Sequence, residues 1–138
     1  MKSFFALSAH MRLSASLFAL LAFNLDGHAA ITATGDTYPT AGDTFWASGG
    51  GDQSIGVGGS TTGSLSITDG STFLSSSANV AYVENSVGLV TVDDATWNNS
   101  RSISLGSYGE GSLKIINGGE VLSDTLNIDA RWGGDCTA

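Results

Sequence analysis

The sequence predicts an all-β chain, a right-handed parallel β-helix of about three to four coils of about 24 residues each, incomplete at its C-terminal end. Three observations predict it. The stretch GSLSITDGSTFLSSS from Gly63 returns as GSLKIINGGEVLSDT from Gly111, with Gly63, Ser64, Leu65, Ile67, Gly70, Leu74 and Ser75 unchanged. A degenerate third copy, GLVTVDDATWNN from Gly88, lies midway between them, so the long recurrence divides into two shorter ones of nearly equal length. Short apolar pairs, Ile55/Val57, Val80/Tyr82, Ile103/Leu105 and Leu126/Ile128, step along the chain at that same shorter spacing. A unit this small cannot bury its own apolar face, so each copy leans on the next.

From the N-terminus, residues 1–29 read as a secretory signal peptide. Lys2 and Arg12 flank an early apolar stretch, Leu13 to Leu25 is almost uncharged, and small residues close the segment in GHAA. Cleavage after Ala29 puts Gly27 and Ala29 at the two small-residue positions, and Met11 offers an alternative start with a shorter leader. The apolar run is too short for a membrane span, and no later segment approaches the ~20 apolar residues one needs. The mature chain is therefore expected to be exported, with no stable transmembrane segment.

Residues 30–43 form a cover or linker that holds the single proline, Pro39, and the stretch ITATGDTYPTAGDTFWAS is expected to close the N-terminal end of the stack. The repeats occupy 44–134. Within them Leu65 and Ile67, Val90 and Val92, and Leu113 and Ile115 stand two apart with polar or small residues between, so one face of each strand is dry and the other wet. Stacked ~4.8 Å apart, these six residues form a narrow aliphatic core. Each first strand ends in Asp69-Gly70, Asp94-Ala95 or Asn117-Gly118, where an Asx side chain bonds nearby backbone and glycine supplies positive φ. β-Branched residues, Ser and Gly dominate, and no long helix is expected after the leader. Residues 135–138 are expected to be an irregular tail, since RWGGDCTA departs from the repeat and the lone Cys136 has no intramolecular partner.

Charge narrows the partners. The chain carries five Lys and Arg against 13 Asp and Glu, net −8; losing Lys2, Arg12 and Asp26 with the leader leaves 3 − 12 = −9. Nucleic acid and anionic membranes would find no basic patch. Both histidines, His10 and His28, leave with the leader, so no serine or cysteine has an imidazole to activate it.

The enzymatic alternative is a lyase-like β-helix, which needs clustered carboxylates, often with calcium and a basic residue. Asp93-Asp94 is the only acidic doublet, and adjacent strand residues face opposite ways. Across coils Asp69 and Asp94 could approach one another, but Asn117 breaks that series. No cofactor or metal motif is present: GVGGSTTG from Gly56 lacks the lysine of a phosphate loop and reads as a turn, and Gly50-Gly51-Asp52 only begins a calcium nonapeptide. Arg101 and Lys114 read as solvated outward charges that limit sticking between coils. Phe45, Trp46, Tyr82, Trp97 and Tyr108 offer aromatic surface. Of these, Tyr82, Trp97 and Tyr108 are the candidate ligand surface for a carbohydrate-binding alternative, with packing the competing role for Trp97. A Thr ladder of the ice-binding kind is not sustained, since Thr68, Asp93 and Ile116 share one column.

The alternation of a GSLxIxxGG-type coil (Gly63 to Gly70, Gly111 to Gly119) with a GxVTVD…TW-type coil (Gly88 to Trp97), each followed by an I-x-V/L-G element such as Ile55-Gly56-Val57-Gly58 or Ile103-Ser104-Leu105-Gly106, resembles the repeat shared by type V secretion (autotransporter) passengers and PEP-CTERM-associated bacterial proteins. The likeness spans about Thr44 to Gly134. It implies a β-helical passenger displayed at, or released from, a Gram-negative type of cell surface. The expected function is that of an exported, non-enzymatic structural or adhesin-like segment, with surface glycans or other cell-surface proteins as partners.

Overall fold

The computed structural model describes residues 31–128 and 136–137. The leader expected over 1–29 lies outside the described residues, as do Asp135 and Ala138 of the tail expected over 135–138, whose Cys136 and Thr137 form a short strand.

The chain is a parallel β-solenoid of about three turns. One wall is a sheet of β1 (Ile31–Gly35), β4 (Thr62–Ile67), β7 (Val87–Asp93), β9 (Glu110–Ile116) and β11 (Cys136–Thr137), in that order. The other wall runs β10 (Glu120–Ile128), β8 (Thr96–Leu105), β6 (Ala78–Val80), β3 (Ile55–Val57) and β2 (Thr37–Tyr38), with β5 (Thr72–Ser75) also paired to β8. Each turn therefore has one strand on the first wall and a bent pair on the second. In the first turn β5 and β6 are separate; in the next two they fuse into β8 and β10.

The sequence register of the first wall holds. Leu65 pairs with Val90 and Val90 with Leu113, while Ile67, Val92 and Ile115 form the next column. Five of these six residues are at most 2% exposed, but Ile115 is 45% exposed and is not core. Its column has a neighbour on one side only, because β11 pairs with β9 at Gly111 and Ser112 and no described strand lies opposite Ile115. On the second wall the expected pair Val80/Tyr82 is out of register. Ala78 and Val80 align with Ile55 and Val57 and with Ile103 and Leu105, whereas Tyr82 lies beyond a corner, on the surface.

That corner explains the glycines that head each repeat. Gly58, Ala81 and Gly106 all have positive φ, at 71°, 57° and 65°. Their amides donate along the stack, Ala81 N to the Val57 carbonyl at 2.8 Å and Gly106 N to the Val80 carbonyl at 2.7 Å. The turned backbone then rests on the second residue of a neighbouring first-wall strand. A Cβ at Gly88 would lie 2.5 Å from the Val57 oxygen and 2.7 Å from the Ala81 nitrogen, and one at Gly111 would lie 2.5 Å from the Gly106 nitrogen. Gly63, Gly88 and Gly111 are thus required by space rather than by conformation, since none has positive φ.

The N-terminal end is closed by chain running against the stack. β1 pairs antiparallel with β4 and β2 antiparallel with β3. The short helix α1 (Thr44–Ala47), capped by the Asp43 carboxylate on Phe45 N, turns Phe45 and Trp46 into the bore. Trp46 stacks on Phe73 at 5.5 Å between centroids, Phe73 meets Trp97 at 6.4 Å, and the Trp46 indole N–H donates to the Pro39 carbonyl at 3.2 Å. Phe73, not Trp46, pairs with Trp97 across the wall, so Trp46 belongs to the plug rather than to the repeat column.

Candidate functional site

Tyr82 and Tyr108 follow the Ala81 and Gly106 corners of adjacent turns. The corner swings both rings out of the wall, 54% and 41% exposed, and sets them edge to face at 6.1 Å between centroids and 89° between planes. They border a cleft of about 670 Å³ whose lining also includes Ser104, Ser107 and Asn127, with Leu126 and Ile128 completing it. All of these groups are uncharged. Ser104 and Asn127 are register partners on the second wall, and the same outward column continues through Asn79 and Gly56 to Tyr38.

Trp97 does not belong to this surface. It is fully buried between Phe73 and Val121 in the bore, and its indole N–H donates to Ser75 Oγ at 2.9 Å. Phe45 and Trp46 are likewise interior. A tryptophan in a repeat gives no sequence sign of which way it faces; its place in the Phe73–Trp97–Val121 column does.

The acidic candidates do not converge. Asp69, Asp94 and Asn117 all take positive φ, at 58°, 46° and 50°, and their backbones tie successive turns: Gly70 N donates to the Asp94 carbonyl at 2.6 Å and Asp94 N to that of Ile116 at 3.3 Å. Here the Asx residue itself adopts the left-handed conformation, which its short polar side chain tolerates. Asp93 accepts from Asn117 Nδ2 at 2.7 Å, and Asp69 from the Thr68 hydroxyl at 2.8 Å. No group of three potential metal ligands occurs among the described residues. Arg101 and Lys114 are exposed.

Two polar arrangements escaped the sequence reading. Asp36, in the cover, places one carboxylate oxygen against the amides of Ser60 and Thr61 and against the Ser60 hydroxyl. These bonds, the Ser60 amide first, hold its carboxyl below the ordinary value of 3.8. The glycine-rich loop after Gly56 does cradle an anion, and the anion is the chain's own Asp36. The second is a buried ladder through three turns: Ser75 Oγ donates to Asn99 Oδ1 at 2.8 Å, and Asn99 Nδ2 donates to Ser123 Oγ at 3.2 Å. Ser75 and Asn99 are 3% and 2% exposed. The repeat identity of Ser75 and Ser123 was the available signal for it; nothing in the sequence marked Asn99.

Among the described residues, no helix is long and apolar enough to cross a membrane. No protein family, curated protein or solved structure matches the chain.

Proposed function

We propose that the chain is an exported, non-enzymatic β-helical segment of a bacterial surface or secreted protein, with a structural and adhesin-like role. It extends the stack and presents one face to partners such as surface glycans or other cell-surface proteins. The observation that carries this reading is how the reactive side chains are used. Asp36 fastens the cover to the first turn, Ser75, Asn99 and Ser123 form an internal ladder, and Asp93 and Asn117 tie a corner. The cleft bordered by Tyr82 and Tyr108 is lined by uncharged side chains, a surface suited to contact rather than proton transfer. The tripartite composition of residues 1–29 and the resemblance to passenger repeats support export.

Incubating the purified mature chain with a broad polysaccharide panel, with and without calcium, should release no new reducing ends and no unsaturated products. Product that scales with protein concentration would sink the reading. Expression of the full chain in a Gram-negative host should yield protein beyond the inner membrane beginning at Ala30. An uncut chain retained in the cytoplasm would count against export.

A further inference from the structure

We infer that the second wall binds an uncharged, linear polysaccharide laid along the stacking axis, with Tyr82 and Tyr108 as its aromatic subsite. The inference rests on the presentation role proposed above and names its ligand class.

The outward residues of successive strands are in register, Tyr38 with Gly56, Gly56 with Asn79, Asn79 with Ser104, and Ser104 with Asn127. Four strand steps of about 4.8 Å make this column about 19 Å long. The step is close to the length of one pyranose ring in an extended chain, so a glycan lying along the axis would meet polar side chains at successive sugars from Asn79 through Ser104 to Asn127. Asn79 and Asn127 are exposed, Ser104 is half-buried, and each amide both donates and accepts, as vicinal hydroxyls require. Gly56 leaves a notch in the row, with nothing but the Tyr38 Cβ near where its side chain would stand.

Aromatic groups stand at both ends. Tyr38 is 67% exposed, and the Tyr82–Tyr108 pair borders the cleft beside Ser104 and Asn127. Flat C–H faces of a sugar pack on such rings while the phenol oxygens remain wet. Charge selects among glycans: the cleft holds no ionisable cation, and a chain of net charge −8, or −9 without the leader, repels uronate or sulfated polymers. A neutral polymer is the class that remains.

The test is titration calorimetry of the purified mature chain with neutral hexasaccharides of glucose, xylose and mannose, and with hexagalacturonate as the anionic control. The expected result is binding of at least one neutral oligosaccharide, stronger than that of hexagalacturonate. Tyr82→Ala and Tyr108→Ala should each weaken it about tenfold, as expected for one aromatic contact. Tyr82→Phe should bind as wild type, and Asn127→Ala should weaken binding less than loss of a ring does. Because these side chains are exposed, all variants should melt with the wild type, which separates loss of contact from loss of fold. The proposal is overturned by absence of binding across the neutral set, by preference for hexagalacturonate, or by tyrosine variants that fold and bind unchanged. Each of these outcomes leaves the scaffold role standing, which only catalytic turnover or failed export removes.

Discussion

The two ends of the solenoid solve the same problem in different ways. At the N-terminal end β1 and β2 run antiparallel to the stack, and Phe45 and Trp46 fill the bore; Ile31 and Ala33 are 8% and 9% exposed. At the other end β11 pairs only with Gly111 and Ser112, and Ile115, Leu126 and Ile128, which continue the interior columns, are 45%, 45% and 53% exposed. An inward position in a solenoid is therefore not a buried one. Direction is set by the strand, whereas burial is supplied by the neighbouring turn.

The sharpest probe of that difference is a pair of identical changes in one column. Val92→Asp, between Ile67 and Ile115, should cost more than about 3 kcal/mol and unfold the stack cooperatively, because the carboxylate has no partner there. Ile115→Asp, one turn on, should cost less than about 1 kcal/mol, since water already reaches the site. Equal costs in denaturant titrations would refute the contrast.

Trp46→Ala removes the plug and should cost about 3 to 5 kcal/mol, as large aromatic deletions from cores do. The loss should appear first as faster hydrogen exchange in β3 and β4, with β8 protected for longer. Exchange that accelerates uniformly would mean that the closed end does not stabilise the stack locally.

The polar ladder spans both environments and grades the same contrast more finely. Asn99→Ala, at the buried middle rung, should cost about 1 to 3 kcal/mol, since the Ser75 hydroxyl, still accepting from Trp97, loses the acceptor for its own proton in the interior. Ser123→Ala, at the more open rung, should cost about 1 kcal/mol or less. Thermal melts of the two variants side by side decide it.

The smallest effect concerns how the cover is fastened. Ionised Asp36 is favoured in the folded chain, so its contribution is fully present above pH 3.8 and fades as pH falls through the lower folded value. The wild type should therefore lose melting temperature on acidification more steeply than Asp36→Asn. Parallel curves would show that the carboxylate contributes nothing specific.

Much of the architecture was legible because stacking repeats its demands at fixed intervals. Leu65, Val90 and Leu113 had to align, and a turn signal had to follow each strand. The ends were harder, since they break the period by definition. The cover could be assigned to Ile31–Ser48, but its antiparallel direction could not, and neither could the exposure of Ile115. The candidate face was only partly visible: Tyr82 and Tyr108 lie far apart in the chain and meet because two corners stack, while Trp97 has the same chemistry and faces inward.

The misplaced pair Val80/Tyr82 points to a property of the fold itself. Apolar residues alternate along each strand, so sliding one turn by two residues restores the same inside-and-outside pattern, and hydrophobicity alone cannot reject the slip. Ser75, Asn99 and Ser123 can. A two-residue slide that set Asn99 beside Phe73 and Val121 would leave its amide facing carbon instead of two hydroxyls, stranding a polar group in the interior. The ladder thus works as an alignment key, one tooth per turn, that tells each incoming coil where to stop.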